Sequence, residues 1–144
     1  MVDESLLKEL KAMSDAGADA AGPEVILKTM EFFKQVSKEN EDLMEELEDM
    51  DISVQEIITD KDKKFWITAK DGNIEYGEGT IDNPSFTFSA AMAVAAGMLL
   101  GEVDATSAYM AGDITVEGNL QDAMAFQEII ELGMEAFEDL TEDL

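Results

Sequence analysis

Up to Asp51 the apolar residues of this chain recur every three or four positions, and from Ile52 to Phe88 they recur every second one. That switch constrains the fold more than any other feature, because a period near 3.6 belongs to a half-buried helix and a period of two to a half-buried strand. Ile52, Val54 and Ile58 suggest a first strand, and KFWITAK alternates Phe65, Ile67 and Ala69 against Trp66 and Thr68. Asp71-Gly72-Asn73 is a hairpin turn into NIEYGEG, and Asn83-Pro84 breaks the chain before SFTFS, where Phe86 and Phe88 share a side. An antiparallel meander of three or four strands is expected.

Helices flank this sheet in sequence. Leu6, Leu10 and Met13 mark a short helix over 5–13, and SDAGADAAG (14–22) reads as a linker of small residues. Pro23 opens a helix to about Ser37, with Ile26, Met30 and Phe33 on one stripe and Val25, Phe32 and Val36 beside it. A third helix near 39–49 sets Leu43, Leu47 and Met50 against an acidic side. After the strands come a buried helix over 90–101, a brief one over 104–110, and the strand DITVE fenced by Gly112 and Gly118. A final helix starts at Leu120 behind an Asn119 cap and turns Ala123, Phe126, Ile130, Met134 and Phe137 inward. The expectation is a single α+β domain over 1–144, with N-terminal helices in 1–50 and the sheet and C-terminal helices in 51–144. Its five-stranded, mostly antiparallel sheet should carry helices mainly on one face.

Charge narrows the function. The chain has 34 acidic residues against 9 basic ones, all lysine, with no histidine or cysteine and a net charge of -25. The common near-neutral bases, thiol nucleophiles and soft metal ligands are therefore missing. Carboxylate pairs are numerous but none has a distinguishing spacing, so no catalytic residue, metal site or cofactor is assigned. Nucleic acid and anionic membranes would be repelled. All nine lysines precede Asp71, and the acidic runs at 39–51 and at the C-terminus read as solvated helix faces, which would also suit a high-salt cytoplasm.

Two motifs fail on inspection. As a calcium loop, 60–71 has Lys64 at a ligand position and Phe65 where the turn glycine belongs. As a nucleotide loop, Gly77-Glu78-Gly79 has Asp82 in place of the third glycine and no helix after it, so it reads as a bulge or a close approach on the strand. The apolar run at 90–101 is too short for the roughly 20 residues of a membrane span. No basic, apolar leader is seen, and the cytoplasm is the expected location.

The helix from Ala90 mixes small Ala91, Ala93, Ala95, Ala96 and Gly97 with long Met92, Met98, Leu99 and Leu100. Small residues either bring a helix close to a sheet or leave room for a molecule outside the chain. The methionines at 92, 98, 110, 124 and 134 fit an adaptable core as well as a ligand cavity. Periodicity leaves both open.

NPSFTFSAAMAVAAGMLLGEVDATSAYMAGDITVEGNLQDAMAF, residues 83–126, resembles the C-terminal half of the sterol carrier protein 2 family. The shared pattern is an alternating strand, an apolar helix ending in glycine, a short helix ending in an aromatic-Met pair, and a five-residue strand between glycines before the last helix. Trp66 and Asp71-Gly72 extend the likeness over about 50–135. The resemblance implies a hydrophobic tunnel between sheet and helices that binds sterols, fatty acyl chains or other lipids without covalent chemistry. The lining residues it implies are Phe86, Phe88, Met92, Ala96, Leu99, Tyr109, Met110, Ile114, Val116 and Met124, each of which plain core packing would explain equally well. Where the family usually has Gln before the glycine and Lys after it, this chain has Ala111 and Asp113. Its C-terminus also lacks a peroxisomal Ser-Lys-Leu signal. An apolar lipid is thus the expected ligand. The alternative is an accessory or dimerisation module of the same fold with a filled core, working through a protein partner or a second copy.

Overall fold

The computed structural model describes residues 2–142 and 144. Helix α1 (Glu4–Ala16) begins where Asp3 accepts a hydrogen bond from the Ser5 backbone N–H at 2.9 Å, and it buries Leu6, Leu7 and Leu10. Helix α2 (Glu24–Val36) buries Val25, Ile26, Met30, Phe32, Phe33 and Val36. Helix α3 (Glu41–Glu48) is capped by Asn40 and seals Leu43 and Leu47 completely.

The stretch read as a linker is instead part of the packed structure. Helix α1 runs three residues past Met13, a 3-10 turn follows at Ala18–Ala20, and Ala18 is buried. The Ala18 N–H donates to Glu102 at 3.0 Å, tying this turn to a segment 84 residues away. Small residues suit a linker and a tightly packed turn alike, and only the partner distinguishes them.

Five strands follow the expected pattern: β1 (Asp51–Ile58), β2 (Lys63–Lys70), β3 (Asn73–Glu78), β4 (Phe86–Ala90) and β5 (Ile114–Gly118). Their order is β3-β2-β1-β4-β5, so the fourth strand does not extend the meander. It crosses back and pairs with β1 in parallel, Val54 opposite Phe86 and Ile58 opposite Ala90, while the other three pairings are antiparallel. Alternation fixes which face a strand buries but not which strand lies beside it. The crossing is held by buried Gln55, which donates to the Phe65 and Gly79 carbonyls at 2.9 and 3.1 Å and accepts from the Ile81 N–H at 2.9 Å. Ser85 completes it by donating from its N–H to the Ser53 carbonyl at 2.7 Å.

Cross-strand register collects the even-numbered residues of β1, β3, β4 and β5 and the odd-numbered ones of β2 on one face, and this is the face the helices cover. On the outer face the indole of Trp66 lies over Gly77, where an added Cβ would come within 2.7 Å of Nε1. Gly77 therefore serves close packing, as its sequence suggested, whereas Gly79 has open space around it and takes a φ of +115°.

Three more helices complete the chain: α4 (Met92–Leu99), α5 (Ala105–Ala111) and the 22-residue α6 (Leu120–Thr141). Asp60, in the β1–β2 turn, accepts from the Met92 N–H at 2.9 Å and so starts α4. Gly112 takes the left-handed φ of +83° that ends α5. Helix α6 turns Phe126 and Ile130 inward as expected, but its buried stripe also holds Ile129, Gly133 and Ala136, while Ala123, Met134 and Phe137 are half-buried. Among the described residues no helix is long and apolar enough to cross a membrane, and no cluster of His, Cys, Asp and Glu could hold a metal ion.

Candidate functional site

The buried apolar residues form two groups. One joins α1, α2, α3 and α6 to the sheet around Phe32, Phe33, Leu43 and Leu47. The other joins α4, α5 and the 3-10 turn to Ile58, Phe65, Ala90 and Ile114. Half-buried Phe88 and Leu99 pack against both, and beside them lies a cavity of about 380 Å³. Its size is within the range of small-molecule sites.

Each wall follows from local sequence. The sheet contributes Val54, Phe86, Phe88, Ile114 and Val116, all inward members of period-two strands. Helix α4 contributes Ala95, Met98 and Leu99, and α5 contributes Ala105, Thr106 and Tyr109. The first turns of α6 arch over the remaining side with Leu120, Ala123, Met124, Phe126, Gln127 and Ile130. The mouth lies at the rim formed by α5 and the start of α6, where Tyr109 is 48% and Met124 71% exposed.

Of the ten residues implied by the resemblance, seven line this cavity: Phe86, Phe88, Leu99, Tyr109, Ile114, Val116 and Met124. Three do not. Met92 and Ala96 are buried in the second core group, which joins α4 to α2 and the 3-10 turn, and are outside the cavity lining. Ala96 is turned 100° round the helix from Ala95, whereas Met92 lies in line with Leu99 but two turns away, at the first residue of α4 and beyond the end of the cavity lining. Met110 is 81% exposed at the end of α5, one residue round the helix from Tyr109. Ala111 and Asp113, the two departures from the family pattern, are exposed and outside the lining.

One lining residue carries no apolar signature. Glu56 sits in the middle of β1, opposite Phe65 of β2 and Phe88 of β4, and is only 8% exposed. Among the described residues its Oε1 is the one buried side-chain nitrogen or oxygen without a hydrogen-bond partner. Burial alone pushes its carboxyl up to about 7. The sequence did contain a signal for it: positions 52, 54 and 58 are the inward apolar register of β1, and an acidic residue stands at 56 in that same register. Thr106 and Gln127 are the other polar lining groups, and no basic residue is among them.

A second polar arrangement lies elsewhere. The Tyr76 hydroxyl donates to Glu31, whose other oxygen accepts from Gln35 at 2.8 Å, and Gln35 in turn accepts from the Asp3 N–H at 2.8 Å. The Tyr76 and Gln35 bonds hold the Glu31 carboxyl below its ordinary range, and burial with the Glu31 bond pushes the Tyr76 phenol up to about 12. Every partner here is satisfied, so the network ties β3 to α2 and the chain start.

Comparison with known proteins agrees with the geometry. A family model described as the SCP-2 sterol transfer family matches residues 33–131. Among solved structures, a UbiJ-SCP2 ubiquinone synthesis protein superposes with a TM-score of 0.62 at 11% identity, covering 78% of this chain and 93% of its own. Sterol carrier protein domain 2 of Helicoverpa armigera also gives 0.62, at 17% identity, covering 78% of this chain and 92% of that one. A double mutant of the sec-alkyl sulfatase PisA1 gives 0.60 at 13% identity over 78% of this chain, which spans only 17% of that enzyme's length. At such identities these likenesses establish the fold alone. No curated protein matches the chain.

Proposed function

The chain belongs to the SCP-2 sterol transfer family, and from that premise we propose that it binds and transfers a lipid-like apolar molecule of fatty acyl, isoprenoid or sterol type, without covalent chemistry. The observation that carries this reading is the cavity of about 380 Å³ between the sheet and α4, α5 and α6, apolar but for three residues. Each methylene placed there contributes ~0.8 kcal/mol, so a chain of moderate length gains useful affinity with few polar contacts. The exposed apolar residues at the mouth, Tyr109, Leu120 and Met124, lie where an entering lipid would first touch the protein. An accessory module that works only through its surface would not need this hollow.

The test is uptake of Nile red, a neutral apolar dye, with native mass spectrometry of protein purified from its own host. Dye binding with a stoichiometry near one, or a retained lipid mass, is expected. Absence of both would overturn the proposal. Leu99→Trp, which places an indole in the cavity, is expected to abolish dye uptake and to leave the fold intact by circular dichroism.

A further inference from the structure

Glu56 is not explained by apolar binding alone. A carboxyl group on the central strand of the sheet, flanked by Phe65 and Phe88, takes a position that an aliphatic residue would fill at less cost. One of its oxygens accepts no hydrogen bond from the protein. Buried polar groups are almost always paired, so an unpaired one in a cavity wall points to a partner outside the chain. The other buried polar residue of β1, Gln55, has both its amide nitrogen and its oxygen satisfied on the opposite face. The difference is that Glu56 faces the cavity.

Depth adds orientation. Glu56 belongs to the sheet floor and is almost wholly buried, whereas Tyr109, Leu120 and Met124 form the exposed rim. A molecule whose polar end reaches Glu56 must enter polar end first and leave its hydrocarbon toward the mouth. That end must donate a hydrogen bond. It cannot carry negative charge, since no basic residue lines the cavity to offset Glu56 and the chain as a whole is at -25.

Resting on the lipid-binding reading above, we propose that the ligand is an amphiphile with a hydrogen-bond-donating, uncharged or cationic head, an alcohol or an amine, and that the Glu56 carboxylate receives this head at the cavity floor. Val54, Phe86 and Phe88 surround the same floor and exclude water, which strengthens a charge-assisted bond there. A fatty acid or a phosphate-headed lipid would meet like charge at the point of contact.

The experiment is displacement of Nile red at pH 8 by 1-dodecylamine, 1-dodecanol and dodecanoate, which share one chain length and differ only in the head. It is run on the wild-type protein and on Glu56→Leu. At 1 M salt, where the screening length is about 3 Å, the acidic surface no longer sorts the three by charge. The wild-type protein is expected to bind the amine at least tenfold more tightly than dodecanoate, with the alcohol between them. In Glu56→Leu the three are expected to fall within about threefold of one another while dye binding persists. Equal binding of all three by the wild-type protein, or an order unchanged in Glu56→Leu, would overturn the assignment and leave the lipid-binding reading standing. Failure of the wild-type protein to bind dye or any of the three would overturn both. Should Glu56→Leu fail to fold, Glu56→Gln is read in its place, with the amine expected to lose at least tenfold and the alcohol less.

Discussion

Beneath α2, α3 and the C-terminal half of α6, the helix-covered face of the sheet is filled; beneath α4, α5 and the first turns of α6, it is hollow. In the filled half Phe32 meets Phe33 and stands edge-on to Phe137 with ring centroids 5.4 Å apart. Gly133 lets α6 approach so closely that an added Cβ would come within 2.3 Å of the Phe33 ring. In the hollow half the helices line the cavity with small Ala95, Ala105 and Ala123 among their larger residues. Helix α6 spans both halves in one piece of 22 residues, about 33 Å long. Its far end is anchored against Phe33, and its first turns arch over the cavity while Phe126 reaches the Phe86 ring of β4, centroids 6.1 Å apart. The contrast teaches that a cavity needs a rigid support beside it, and that large side chains in one region keep small ones apart in the next.

The sharpest way to break this contrast is to remove the support. Phe33→Ala should cost about 3–5 kcal/mol in urea unfolding, the range for a large aromatic lost from a closed core. It should also weaken dye binding, because α6 loses its footing. If dye affinity is unchanged, the two halves are independent and the support idea fails.

The next largest effect concerns the single charge in the hollow. The folded Glu56 carboxyl titrates at about 7 against 4.5 when unfolded, so between those values the folded state holds a proton that the unfolded state has released. Stability from this group is complete below pH 4.5, falls as pH rises toward 7, and is level above it. Glu56→Gln removes the penalty. It should stabilise the protein by about 3 kcal/mol at pH 8 and change little below pH 4.5. Parallel pH–stability curves for the two proteins would show that the carboxyl is not in a dry site.

The smallest effects should come from the hollow wall. Val116→Ala removes methyl groups that face the cavity on one side, and is expected to cost no more than about 1 kcal/mol. Leu99→Trp is expected to change stability by less than the 1–3 kcal/mol typical of overpacking. A larger loss in thermal unfolding for either variant would mean that this half is filled as tightly as the other.

Much of the fold was legible in the residues. Alternation in KFWITAK and SFTFS, the turn at Asp71-Gly72-Asn73, the Asn119 cap and the Gly112 stop each have a local cause, and each is found where expected. The lining was legible on the strands, where Phe86, Phe88, Ile114 and Val116 can only face in or out. It was poorly legible on α4, whose apolar residues surround the helix, so that Met92 and Ala96 were as plausible as Ala95 and Met98. Met110 was misplaced for a similar reason: two large apolar residues end α5, and only Tyr109 turns to the cavity.

By itself the sequence determined the elements, the buried face of each strand, the acidic surface and the lack of thiol and imidazole chemistry, because these depend on residue type and near-neighbour spacing. The tertiary structure decided the parallel pairing of β4 with β1, the packing of the small-residue segment at 18–20, and the division of one apolar face into a filled and a hollow part. It also placed Glu56 at the floor of that hollow. These depend on which distant segments meet and on how far large side chains hold two helices from a sheet, and neither distance is written in local spacing.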